Sequence, residues 1–237
     1  MRLLPRRRRS RVVLAVAGTV AVVTALVLIA YLTPLMSVRS TEIRDNRVVS
    51  GDQVLDAAAV APGTPLLQVD AAAVARRVVA AIPSVESARV QRSYPSTLTI
   101  TVTERRPVAV VQAGDKVHVL DRSGVSYLKY DGKVGTDAVP VQFRKLPVLD
   151  TPNPGPFDPT TRAALAATAG LPPRIAGQVQ RVSATSPVDI EFALTDQRTV
   201  VWGDSDRGAE KARTLGYLLT RKASTYNVSS PEFPAYR

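Results

Sequence analysis

The chain has 237 residues, 31 Lys and Arg against 20 Asp and Glu, one histidine and no cysteine. Disulfides, thiolate metal sites and cysteine nucleophiles are excluded outright, and His118 alone can build neither a histidine cluster nor an HExxH zinc site. The formal charge of +11 is unevenly spread: Arg2, Arg6, Arg7, Arg8, Arg9 and Arg11 precede any acidic residue, leaving 25 basic against 20 acidic beyond them. Nucleic-acid binding, which needs a basic stripe or patch, is therefore not expected.

Residues 1–11 form a basic stub, and Val12 to Leu32 follows without a charge. Twelve of these 21 residues are Val, Leu or Ile. As a helix the run would be about 32 Å long, near the hydrocarbon thickness of a bilayer. At about 0.3–0.6 kcal/mol each, its large aliphatic residues favour insertion by roughly 5 kcal/mol. Its length, and the lack of a small-residue cleavage site in Tyr31-Leu32-Thr33-Pro34-Leu35-Met36, predict an uncleaved anchor over 12–33. Arg6, Arg7, Arg8, Arg9 and Arg11 act as the topogenic signal and keep the N-terminus cytoplasmic.

The first exported module, 35–108, reads as strand, helix, helix, strand, strand. A short extended stretch around Val38 to Ile43 ends at the turn pair Asp45-Asn46. Ser50 with Gln53 is a capping-box signature for a helix through Ala57-Ala58-Ala59. Asp70 caps a second helix over 71–81, with Val74, Val78 and Val79 on one face and Pro83 after it. Val85 to Arg92 reads as a strand, Tyr94-Pro95-Ser96 as a turn, and 98–103 alternates apolar and polar residues with period two.

The second module, 109–237, is strand-rich. Val117 to Leu120 and Val125 to Tyr130 flank the hairpin turn Asp121-Arg122-Ser123-Gly124. A proline-rich loop leads to a helix near 160–169, with Pro159 at its start and Gly170 past its end. Val188, Ile190, Phe192 and Leu194 alternate, then 195–198 turns into a strand over 199–202. A helix is expected over 207–223, with Asp204 and Asp206 in its preceding turn and N-cap, and Thr225 to Ser229 is a last extended run.

Catalytic chemistry is hard to assemble. Ser126-Tyr127-Leu128-Lys129 matches the Ser-x-x-Lys of penicillin-recognising enzymes, but the Ser-Asp-Asn and Lys-Thr-Gly elements that complete such a site are missing. Asp204 and Asp206 lack the other ligands of a calcium loop. A non-enzymatic protein without cofactor, metal or small-molecule substrate is expected.

Several local motifs, in order, resemble the FtsQ/DivIB family of bacterial division proteins: Asp45-Asn46, where the family usually has Gly-Asn; Tyr94-Pro95 with Leu98-x-Ile100-x-Val102-x-Glu104-Arg105-Arg106-Pro107; Val119-Leu120-Asp121-x-x-Gly124; Leu146-Pro147-Val148-Leu149; Trp202-Gly203 with Lys211; and Tyr226-x-Val228-Ser229-x-Pro231. The resemblance implies an α+β fold: a single N-terminal transmembrane helix, a POTRA domain (β-α-α-β-β), then a β-rich extracytoplasmic domain with flanking helices. It further implies a scaffold at the division septum that binds FtsB/DivIC-like and FtsL-like bitopic membrane proteins, links to septal peptidoglycan synthases and regulates septal peptidoglycan synthesis. Tyr226, Asn227, Val228 and Ser229, with Leu215 to Arg221 nearby, map by position onto the family's partner contact, although a terminal strand completing its own sheet accounts for them equally well. A POTRA-type chaperone or secretion protein of the envelope is the alternative, and it would normally carry a C-terminal β-barrel of many strands.

Overall fold

The computed structural model describes residues 14–25 and 36–237. Residues 14–25 are helical (α1), and Leu14, Val16, Val20, Val22 and Val23 are all exposed. Among the described residues no helix is long and apolar enough to cross a membrane. The expected span over 12–33 is described only in part, and Arg6, Arg7, Arg8, Arg9 and Arg11 lie outside the described residues. The rest forms two compact units, which divide between Glu104 and Arg105.

In the first unit, local signals set the helices. The Ser50 hydroxyl accepts from Gln53 N–H, the Gln53 side chain accepts from Ser50 N–H, and α2 runs over Gly51–Ala58. Ala59 is left-handed at φ 48°, so α2 stops one residue before the expected end. Asp70 accepts from Ala73 N–H and starts α3, Ala71–Ala81, at the expected bounds. Val54 with Ala58 and Val74 with Val78 are buried i, i+4 pairs, which turn one stripe of each helix toward the sheet. The strands are β1 (Ser40–Arg44), β2 (Val85–Ser93) and β3 (Thr97–Glu104), in the order β1-β3-β2. β3 lies between a parallel and an antiparallel neighbour, and its Leu98, Ile100 and Val102 are at most 1% exposed. Burying each such side chain contributes about 1.5–3 kcal/mol.

Two motifs 57 residues apart in sequence meet at the end of β3. Glu104 Oε1 accepts from the backbone N–H of Arg47 (2.8 Å), Val48 (2.9 Å) and Val49 (2.9 Å). The turn itself is closed by Asp45 at φ 63° and by Asn46 Nδ2, which donates to Val49 O. Burial raises the Glu104 pKa, but the three N–H donors outweigh it and hold the carboxyl below its usual range.

The second unit is one nine-stranded open sheet with strands β4 (Pro107–Ala113), β5 (Lys116–Asp121), β6 (Ser126–Asp131), β7 (Val148–Asp150), β8 (Val179–Ser186), β9 (Asp189–Leu194), β10 (Thr199–Gly203), β11 (Thr225–Asn227) and β12 (Ala235–Tyr236). Their order is β12-β11-β10-β9-β8-β7-β4-β5-β6, so β12 and β6 are its ends. Four helices accompany it: α4 (Val141–Arg144), α5 (Pro159–Ala169), α6 (Pro173–Ala176) and α7 (Gly208–Leu218). Ala164 and Leu165 of α5 and Ala212 and Leu215 of α7 share one core with Ile190, Phe192, Leu194, Val200 and Trp202. A smaller core joins Val110, Val117, Val119 and Tyr127 to Phe143 of α4.

The hairpin β5–β6 turns where expected. Asp121, 1% exposed, accepts from Ser123 and Val125 N–H and from Arg105 Nη1, and Gly124 sits at φ +81° with Gly155 O only 3.0 Å from where a Cβ would stand. Two expectations need correction. The last helix spans 208–218 rather than 207–223: Arg207 is left-handed at φ 55°, and i→i−3 bonds from Thr220 and Arg221 close its final turn. Its N-cap position is Arg207, not Asp206, and no side chain caps it; Asp204 instead accepts from Asp206 N–H.

Candidate partner-docking edge

The alternation of Thr225-Tyr226-Asn227-Val228 decides which side chains this strand buries. Tyr226 and Val228 are both 0% exposed and point into the core, whereas Asn227 is exposed and Ser229 half-buried. Tyr226 Oη donates to Arg221 O at 2.7 Å and accepts from Arg198 Nη1 at 3.2 Å; the Arg198 guanidinium lies 5.6 Å from the ring and ion-pairs with Asp196. Asn227 Oδ1 accepts from Ser229 N–H and Oγ–H. Of the four residues expected to meet a partner, the structure thus turns Asn227 and Ser229 outward and uses Tyr226 and Val228 as core.

β11 is parallel to β10 (Thr199↔Thr225, Val201↔Asn227), which suits strands joined through a helix rather than a hairpin. α7 is pinned beneath it. Lys211, 1% exposed, donates to Asp204 O (3.0 Å) and Oδ1 (2.5 Å) and lies 5.9 Å from the Trp202 ring, which meets Phe192 edge-on at 5.3 Å. The Lys211 hydrogen bond holds the Asp204 carboxyl below its usual pKa range against the effect of burial. Gly203, φ +77°, lets the chain pass Ser229, whose Cβ would be 2.9 Å from an added Cβ.

β12, a strand the sequence reading missed, covers β11 with only two residues, paired Tyr226↔Tyr236 and Asn227↔Ala235. Arg237 N–H donates to Thr225 O (3.0 Å), and Thr225 N–H donates to Arg237 O (3.1 Å). Antiparallel alternation then turns the N–H and C=O of Tyr236 toward the open side, where no further strand follows among the described residues. The flank is apolar and aromatic: Tyr217, Phe233 and Tyr236 are 79%, 86% and 53% exposed. Arg207 ties the connecting segment to α7 by pairing with both Glu210 and Glu232. Val201, Thr225, Asn227, Ala235, Tyr236 and Arg237 line a recess of about 320 Å³.

The other chemistry-bearing residues form a less complete arrangement. Ser126 Oγ lies 3.0 Å from His118 Nδ1, a contact across β5 and β6 that the sequence reading missed, and Lys129 stands opposite His118. Burial, with Lys129 and Lys116, lowers the His118 pKa. Among the described residues no acid is hydrogen-bonded to the ring, so the pair lacks the orienting member of a triad. No group of three or more His, Asp or Glu capable of holding a metal occurs among the described residues.

Comparison with known proteins agrees with this architecture. Residues 36–105 match the POTRA domain of FtsQ type. The chain is 50% identical over 213 residues to the cell division protein FtsQ of Mycolicibacterium smegmatis, covering 90% of this chain and 61% of that protein. It is 48% identical over 226 residues to FtsQ of Mycobacterium tuberculosis strain H37Rv (95% and 67% coverage), and 33% identical over 238 residues to FtsQ of Streptomyces bingchenggensis (97% and 86%). The chain thus spans about three fifths of the M. smegmatis protein. With the POTRA order β-α-α-β-β in the first unit and these identities across both, the chain belongs to the FtsQ family of cell division proteins.

Proposed function

We propose that this chain is a membrane-anchored scaffold of the division septum that holds partner proteins by strand addition at β12. The supporting observation is the open edge: Tyr236 offers one N–H and one C=O outward at the end of a nine-stranded sheet. An incoming strand gains main-chain hydrogen bonds there, while Asn227, Phe233 and Tyr236 supply side-chain selectivity. FtsB/DivIC-like and FtsL-like bitopic proteins are the partners, with septal peptidoglycan synthases acting downstream of the complex. The anchor over 12–33, with Arg6, Arg7, Arg8, Arg9 and Arg11 in the cytoplasm, holds scaffold and partners in one bilayer, which raises their local concentration. The exposed aliphatic side chains of α1 fit lipid contact. The work is stoichiometric, and no catalytic step is assigned.

Tyr236→Pro tests the edge. Proline removes one outward N–H and is tolerated where a strand faces solvent. A tagged Tyr236→Pro copy should reach the membrane, lose co-purification of the FtsB/DivIC-like partner and leave depleted cells filamentous. Full partner recovery and normal septa would refute the strand-addition reading. Uniform membrane signal and normal septa on depletion of the protein itself would refute the division role.

A further inference from the structure

Three segments of the first unit meet where its chain begins. Val38 N–H donates to Thr64 O (2.9 Å), Gly63 N–H to Val38 O (2.8 Å), and Arg39 N–H to Ser96 O (2.8 Å). Ser37 bridges to Pro65, and Arg92 Nη2 donates to Val69 O at 2.8 Å. The start of β1, the β2–β3 turn and the connection between α2 and α3 therefore form one rim at one end of the sheet. Its exposed side chains are of two kinds. Leu67 is 38% and Tyr94 53% exposed, whereas Arg39 and Arg92 are exposed cations without an ion pair among the described residues. No acidic residue occurs in 36–41, 61–69 or 92–97.

Chain length limits what this rim can face, given the anchor proposed over 12–33. Only Pro34, Leu35 and Met36 separate that anchor from Ser37, and the four Cα–Cα steps reach at most about 14 Å. The headgroup layer is about 5–7 Å deep on each side of a bilayer, so the rim starts within it or just above it. At that depth a tyrosine is a favoured interfacial anchor, and an arginine is drawn to an anionic lipid surface. The other end of the unit is out of reach. Val48, 84% exposed, is bonded to Glu104, which lies seven residues along β3 from Thr97, about 23 Å away.

We propose that this rim is a lipid-binding surface: Tyr94 and Leu67 enter the headgroup layer of the extracytoplasmic leaflet, and Arg39 and Arg92 meet anionic lipid phosphates. The inference rests on the anchor reading and goes beyond it. A tether alone leaves the first unit free to tumble above the bilayer, whereas a seated rim fixes its tilt. Interfacial binding grows with buried apolar area and with attraction to anionic lipid, and the rim supplies both. Free phosphate would meet the arginines but leave Tyr94 and Leu67 uncovered.

The absence of cysteine lets a single thiol-reactive fluorophore be placed without background. The full chain, in nanodiscs of phosphatidylcholine with or without phosphatidylglycerol, carries the label on Ser93→Cys or, as the control, on Val48→Cys. A spin label on the lipid headgroups should quench the Ser93 position several times more strongly than the Val48 position. Arg39→Gln should lower the ratio of seated to unseated rim about fivefold with phosphatidylglycerol, the worth of one arginine at an anionic surface, and leave it unchanged in phosphatidylcholine alone. Leu67→Ser should lower the ratio in both lipids, with the melting temperature unchanged. Equal quenching at both positions, quenching at neither, or indifference to both substitutions would overturn the proposal. Shielding of the Ser93 label from aqueous iodide without quenching from the lipid would assign the rim to a protein contact and overturn it as well. Failure of the chain to enter the nanodisc would overturn the anchor and this proposal with it. An inserted chain with an unquenched Ser93 label overturns the lipid contact alone, so the two failures are distinguishable.

Discussion

Glu104 gives the sharpest stability prediction, because one carboxylate oxygen receives three consecutive N–H groups from residues that precede it by more than 50 positions. Glu104→Ala removes all three bonds. The exposed Arg47 and Val48 amides can turn to water, but Val49 is 5% exposed and its N–H is stranded. At about 1 kcal/mol net for each of the two exposed hydrogen bonds and about 1–3 kcal/mol for the stranded buried donor, the cost is about 3–5 kcal/mol. Glu104→Gln keeps an acceptor at the Oε1 position but sets an NH2 against Val48 N–H, which lies 3.2 Å from Oε2, so it should cost about 1 kcal/mol. Because the folded pKa lies below the ordinary value of 4.5, this stabilisation is fully present above that pH and is lost as pH falls through the folded pKa. The assay is urea unfolding of each variant at pH 7 and at steps below pH 4.5, with hydrogen exchange at Val49 as a local probe. The reasoning fails if alanine and glutamine cost the same, or if Val49 exchange is unchanged in Glu104→Ala.

The pair between Lys211 and Asp204 should behave differently. Lys211→Ala loses three buried methylenes, about 2.4 kcal/mol, and a charge-assisted bond, for about 3–5 kcal/mol in all, whereas Lys211→Met keeps most of the packing and costs about 1–2 kcal/mol. Asp204's depressed pKa means that its contribution is present above the ordinary carboxylate range and lost on acidification, so acid unfolding of Lys211→Met should lack that component. Ser50→Ala removes half of a capping box and should cost about 1 kcal/mol in denaturant unfolding, with the loss localised to α2 by hydrogen exchange. Gly203→Ala forces a side chain into φ +77° and against Ser229; it should destabilise by more than about 1 kcal/mol and speed exchange at Val228 N–H, which donates to Val201 O.

The helices of the first unit were legible because their determinants are local. A capping box at Ser50, an aspartate cap at Asp70 and valines at helical spacing each act within one or two turns, and α3 falls at its expected bounds. β3 and β9 were legible for a similar reason, since their large apolar side chains share one face and so recur with period two. Strands outside that pattern were missed. β4 buries Ala109, Val110 and Val111 in succession because it has a core on each face. β8 carries two register shifts that interrupt its alternation, and β12 is too short to show any period.

The family, the order of elements in the first unit, the charge-free run behind an arginine cluster, and the strand that carries Tyr226 and Val228 are all legible in residues close together along the chain. The folded units alone make Tyr226 and Val228 core, end the sheet at β12 rather than β11, seat Glu104 against the loop before α2, and bring Arg174, Arg198 and Arg213 to one groove. The difference is one of range. Caps and periodicity act between residues a few positions apart, whereas edges, buried ion pairs and grooves arise from residues that approach only when the whole unit has closed around its core.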